Sequence, residues 1–378
     1  MKSAPNITPY LPILWIVTTL GLSYCQGPSD NRDLRSETPP AFVRVNAHTS
    51  ESAPSVLDLY AYGAAIIRAK DCTDPASWFY QGSMHAVPPK DSIPGLDTLC
   101  GFYNEGQVLK AWNSCPHMYP TDQQLNFLTW HRLYIYYYER NIRYQIANGG
   151  EGYPGLGEDV AAGFSLPYWD YSNQPSIPDQ FRQETLTTQY AGLITNPLYE
   201  TGRSPSLMAG LPIDYQAMDS IAIHVGTEVR NLCVRTMQQA LTISDFLSLS
   251  DVSEFSRGLE DRLHNVMHDY IGGAVDDKDK TTAIYNRIYQ KEGNGFGLMG
   301  YIPSAGFDQV FFLHHSNVDR MFAAWESRYG PVTIGQMDQY GGDWDSIRQI
   351  YTFWDTPANS WVTYETRQDM LDAVHAID

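Results

Sequence analysis

His264 and His268 lie four residues apart in the stretch EFSRGLEDRLHNVMHDYIGG that starts at Glu254. On a helix this interval sets both imidazoles on one face about a turn apart, a spacing that suits two ligands of one metal. The pair reads His-Asn-Val-Met-His, without the glutamate that follows the first histidine in helical zinc hydrolases, so the general base of that chemistry is missing. His315 shares a helical stripe with Phe311, Val318 and Phe322, and His131 with Phe127, Leu128, Tyr134, Ile135 and Tyr138. Both should point inward among apolar side chains, where a ring nitrogen needs a hydrogen-bond partner or a metal. A single inward histidine is ordinarily a satisfied core residue. Four on the inward faces of three helices form a donor set without thiolate or abundant carboxylate, which suits copper, zinc, iron or nickel. Periodicity leaves the choice among these metals open.

The elements that must position these rings are helical. From Ser55, the residues Val56, Tyr60, Ala64 and Ile67 fall at helical spacing, and QLNFLTWHRLYIYYYERNIRYQI from Gln124 repeats its apolar residues with the same period. The histidine-pair helix aligns Phe255, Leu259, Leu263, Val266 and Tyr270 and should stop at Gly272-Gly273. A further helix is expected over DQVFFLHHSNVDRMFAAWE, from Asp308. Gly- and Pro-rich stretches such as Tyr153 to Gly157 and the run from Glu292 read as surface loops, giving a mainly α chain with long loops.

The 378 residues are 43% hydrophobic and 18% charged, which excludes a disordered chain or a coiled coil. A net charge of −18 has the wrong sign for holding nucleic acid through its phosphates. Residues 1–25, with the apolar run Leu11 to Leu22, read as an export signal, and the polar, Pro-containing residues 26–40 as a tether, leaving one domain over 41–378. Cys25 follows Leu-Ser-Tyr, loosely like a lipoprotein box, and membrane attachment would run through its lipidation. There is no Cys-x-x-Cys pair, so a zinc ribbon or a thioredoxin-type site is excluded by spacing, and in an exported chain Cys72 could pair with Cys100.

FLTWHRLYIYYYER from Phe127, LPYWDYS from Leu166, LHNVMHDYIGG from Leu263 and FFLHHSNVDRMFAAWE from Phe311 together resemble the tyrosinase and catechol oxidase family of type-3 copper proteins, with the blocks in family order. The resemblance implies a four-helix bundle enclosing two copper ions, each held by three histidines, with dioxygen between them. The second copper would take His264, His268 and His315. The first would take His131, together with His85 and His117 from loops. The usual interval of eight residues before His131 would land on Asp122 instead, so His117 requires an insertion between them. Cys115 and His117 reproduce the Cys-x-His of relatives whose cysteine is bonded to a ligand ring, which makes Cys115 a thioether candidate.

The resemblance also places other residues. Glu260 and Asn265 would hold the water that helps deprotonate a phenol, with a solvated face as the plainer reading of Glu260. Ile302 would overhang the second copper as a substrate gate. Asp319, one turn after His315, would accept that ring's N–H, an ordinary cap or salt bridge being the alternative. Asp308-Gln309 replaces the family's Asp-Pro. His314 reads as a core or supporting histidine on the other side of its helix.

The function implied is oxidation of o-diphenols, monophenols or o-aminophenols to quinoid products with dioxygen, in an exported protein that acts alone or with a copper-loading partner. Two rivals accompany it: a haemocyanin-like dioxygen carrier, and a secreted domain whose first copper site is degraded.

Overall fold

Ser55 accepts the Asp58 N–H with its hydroxyl and starts α1 (Val56–Ala69), whose inward positions are almost all buried. Ser77 does the same for α2 (Trp78–His85). The long α3 (Leu125–Asn148) runs through the centre and packs against α1, α4 (Val252–Gly258) and α6 (Val310–Tyr329). Between α4 and α5 (Asn265–Ile271) the chain makes a π-helical segment, Leu259–His264, closed by the Asn265 N–H donating to the Glu260 carbonyl. Gly273, at φ +92°, ends α5 where the paired glycines were expected to end it.

The computed structural model describes residues 43–48, 55–88, 100, 108–116, 123–214, 218, 248–273 and 297–377. All fall within one compact unit, Ser36–Asp378, and the expected export signal and tether lie outside the described residues. No helix among the described residues is long and apolar enough to cross a membrane.

The α-helical expectation holds, and the strands form small antiparallel ladders at the periphery. β1 (Thr185–Thr188) pairs with β2 (Gly192–Thr195), and β3 (Thr352–Asp355) with β4 (Ser360–Thr363). The second hairpin covers α3, with Phe353 stacked on Tyr137 and Trp130 donating to the Ile350 carbonyl just before it. α7 (Ile334–Tyr340) and α8 (Arg367–His375) close the carboxy-terminal side, each with a threonine capping box. A disulfide joins Cys72 to Cys100, the pairing anticipated from sequence.

Asp308-Gln309, where the sequence departs from the family, is fully integrated. The buried Asp308 carboxylate takes Arg203 at 2.6 Å and accepts the Val310 N–H at 3.1 Å, capping α6. Gln309 Oε1 accepts the hydroxyls of Tyr60 and Tyr138. The start of α6 is thus tied to α1 and α3 by buried hydrogen bonds.

Candidate metal centre

His264 and His268 project from the end of the π segment and from α5 toward His315 on α6, as the helical spacing requires. Their Nε2 atoms form a triangle: 3.1 Å between His268 and His264, 3.2 Å between His264 and His315, 3.4 Å between His268 and His315. A triangle of that size has a circumradius of about 1.9 Å, so one ion at a metal–imidazole distance of about 2.0–2.1 Å reaches all three nitrogens.

The ring protons are placed elsewhere. His264 donates from Nδ1 to Asn265 Oδ1 at 2.9 Å, and His268 from Nδ1 to the Met299 carbonyl at 3.1 Å. Their Nε2 lone pairs therefore face each other, an arrangement that is repulsive unless a proton or a cation lies between them. Burial keeps the rings neutral: it pushes His268 down to about 4, and burial followed by the neighbouring imidazoles holds His315 well below the ordinary histidine value. Neutral, convergent, fully buried imidazoles fit a transition metal of the copper or zinc type.

The other group comprises His85, Cys115 and His131, whose donor atoms lie within 4.8 Å of one another. His85 is the last residue of α2, where helix carbonyls lack intrahelical partners. The segment Asn113 to Cys115 supplies them: its amides donate to the carbonyls of Ser83, Met84 and His85 in turn, at 3.0, 3.0 and 3.2 Å. This zipper lays Cys115 beside His85. Gly306 backs the same turn, and a Cβ there would meet the His85 Cβ at 2.9 Å. His131, in the middle of α3, donates from Nδ1 to the Phe127 carbonyl at 2.7 Å, which leaves its Nε2 facing the Cys115 sulfur at 3.3 Å. The Cys115 thiol is pushed well up by burial and by the nearby charge of Glu260, so it is protonated at neutral pH.

The two groups adjoin, since the rings of His131 and His315 stack 4.2 Å apart at 11°. Five of the six expected ligands, His85, His131, His264, His268 and His315, are thus brought together. The sixth, His117, lies outside the described residues, as does its rival Asp122, and with it the proposed Cys115 thioether partner.

Other expectations need correction. Asp319 does not orient His315: its carboxylate takes Arg132 at 2.6 Å and Arg44 at 2.7 Å, and His315 Nδ1 has no hydrogen-bond partner. Two guanidiniums outcompete one neutral ring for a buried carboxylate. The result braces the centre, because Arg132 follows His131 on α3, pairs with Asp319 and Glu326 on α6, and stacks on Phe322. Glu260 is 7% exposed, so the solvated-face reading fails. Asn265 holds His264, a role beyond the water-binding one expected of it. Ile302 opens the short turn Ile302–Ala305 and is 38% exposed, just after the Leu298–Gly300 turn that contains the His268 acceptor.

His314, read from sequence as a core or supporting histidine, is fully buried and lies closer to the cluster than the far side of its helix suggests. His314 brings a ring nitrogen within 4.8 Å of the donor nitrogens of His264, His268 and His315. The signal was its direct adjacency to His315, discounted because consecutive helical residues diverge.

A family model described as the common central domain of tyrosinase matches residues 75–328. The chain belongs to the tyrosinase family. It is 23% identical over 292 residues to a tyrosinase of Hahella sp., covering 76% of this chain and 54% of that protein. With polyphenol oxidase 4 of Agaricus bisporus it shares 27% identity over 295 residues, covering 74% and 45% of the two chains. The chain thus spans about half the length of the curated relatives it matches. Among solved structures, a copper-bound active tyrosinase variant of Aspergillus oryzae superposes with a TM-score of 0.54 at 18% identity, over 87% of this chain and 90% of that one, which shows a shared fold.

Proposed function

We propose that this tyrosinase-family chain is a copper-dependent oxidase that converts o-diphenols, and with them monophenols and o-aminophenols, to quinoid products with dioxygen. The observation that carries this reading is the convergence of the His264, His268 and His315 Nε2 atoms beside the His85, Cys115 and His131 group, only one ring stack away. Two bound coppers would supply the electron-accepting and dioxygen-activating chemistry, held by His264, His268 and His315 on one side and by His85, His117 and His131 on the other.

The chain's own groups do the rest. Phe127 and Phe311 pack edge-on or tilted against His264 and His315, at 4.8 and 4.0 Å between ring centroids, and keep bulk water from the imidazoles. Asn265 fixes the His264 ring, and Glu260, buried at the other end of the same π turn, takes the phenolic proton. Ile302 flanks the approach of the aromatic ring. Two diphenols give up four electrons and four protons to one dioxygen, yielding two quinones and two waters. The Cys72–Cys100 disulfide supports an exported location, since such bonds persist in oxidising compartments.

The test is copper per chain together with oxygen uptake on catechol after copper loading. Two coppers with turnover support the oxidase. Two coppers with reversible oxygen binding and no turnover would move the assignment to a carrier, and one or none to a degraded site.

A further inference from the structure

The second histidine group contains one more imidazole than the three-ligand assignment uses. His314 is fully buried on α6, its ring lying 5.3 Å from His264 at 20°, 5.0 Å from His268 at 87° and 5.2 Å from His315 at 72° between centroids. Its Nδ1 sits 3.3 Å from the Tyr171 hydroxyl. Its Nε2 meets no acceptor in hydrogen-bonding geometry, although the His264 carbonyl is near. A hydroxyl can accept from a protonated ring nitrogen, so Tyr171 can take the His314 Nδ1–H and leave the Nε2 lone pair free for a metal.

We propose that His264, His268, His314 and His315 form a closed four-imidazole site for a single divalent cation of the zinc type, distinct from the three-histidine form that leaves a position open for oxygen chemistry. This inference rests on the metal reading above. A tetrahedral ion with metal–nitrogen bonds of about 2.0–2.1 Å needs nitrogens about 3.3–3.4 Å apart. The Nε2 triangle, with sides of 3.1, 3.2 and 3.4 Å, already supplies three corners at that spacing. The fourth donor, within 4.8 Å, has at most about 1.5 Å to close, the scale of a side-chain adjustment. Zinc has no redox chemistry and favours closed four-coordinate sites, whereas a centre that binds a substrate keeps a coordination position vacant. Occupied in this way, the pocket is a silenced state, and His314 is the residue that decides between the two.

The probe is one equivalent of Co²⁺, read by its visible spectrum, added to metal-free wild-type chain and to His314→Gln. Wild type should show the intense bands of a tetrahedral all-nitrogen site without near-ultraviolet sulfur charge transfer, which separates it from the Cys115 group. His314→Gln should bind roughly tenfold to a hundredfold more weakly and give weak bands of higher coordination number. Equal affinity and equal spectra in the two proteins would overturn the four-imidazole site while leaving the copper assignment intact. No cobalt bound by either would overturn both. As a check independent of the variant's folding, zinc X-ray absorption on the one-zinc wild type should count four imidazoles, and a count of three would refute the proposal.

Discussion

The two histidine groups are built on different principles. In the second group every ligand is carried on a helix and His264, His268 and His315 converge to within 3.4 Å. In the first, one ligand is helical, one sits on a helix end zipped to a loop, and the sulfur of that loop occupies the space before His131. Helical ligands are placed by a geometry that 3.6-residue periodicity predicts. Loop ligands are placed by main-chain hydrogen bonding that few side chains announce. The supports differ too: His131 and His268 lean on backbone carbonyls, and His264 on the Asn265 side chain.

The contrast can be broken most directly at His264. Substitution by Ala should empty the second group while leaving the first able to bind, and oxidase turnover should fall on the order of 10³-fold or more, read as copper per chain beside oxygen uptake. Retained turnover would end the assignment. The brace between the two groups comes next. Arg132→Met takes the guanidinium from Glu326 and leaves Asp319 with Arg44 alone, and should cost about 3–5 kcal/mol in denaturant unfolding.

Acid acts on the same brace. Burial alone would raise the Asp319 carboxyl, but Arg132 and Arg44 hold it below the ordinary aspartate value. Its contribution is therefore present above the unfolded value of about 3.9 and is lost as pH falls through the lower folded value. Asp319→Asn should flatten the stability profile below about pH 4, and an unchanged profile would show that Asp319 is not the group titrating. The smallest effect sharpens the contrast in supports. Asn265→Ala should weaken metal binding at the second group by roughly tenfold to a hundredfold, seen by competition with a chelator, while the first group, whose His131 acceptor is main chain, keeps its affinity.

Most of the helical frame was legible. Val56, Tyr60, Ala64 and Ile67 all prove buried on one helix, as do Phe255, Leu259, Leu263, Val266 and Tyr270 across α4, the π segment and α5. The interval between His264 and His268 singled out, without any alignment, two rings whose Nε2 atoms lie 3.1 Å apart. His85 and Cys115 were not readable from periodicity, because the amide zipper from Asn113 to Cys115 leaves no pattern in side-chain types. Asp319 was misassigned because sequence spacing sees His315 one turn away but not Arg132 and Arg44, which arrive from other segments. His314 was set aside because a helical wheel separates neighbours by angle and ignores the reach of two long rings.

The π turn at Leu259–His264 has a consequence for how the chain tolerates change in length. A π segment holds one residue more than the α-helix it interrupts, so deleting any one of its residues restores ordinary winding at little cost to hydrogen bonding. Because the wider turn absorbs that extra residue, the deletion would leave α4 and α5 near their present relative rotation and would instead move the side chains within the turn around the helix axis. Glu260 and His264 could then no longer keep their present bearings together. A scan of single substitutions through the segment would find mostly mild variants, whereas a scan of single deletions would find a frame on which folding and chemistry come apart.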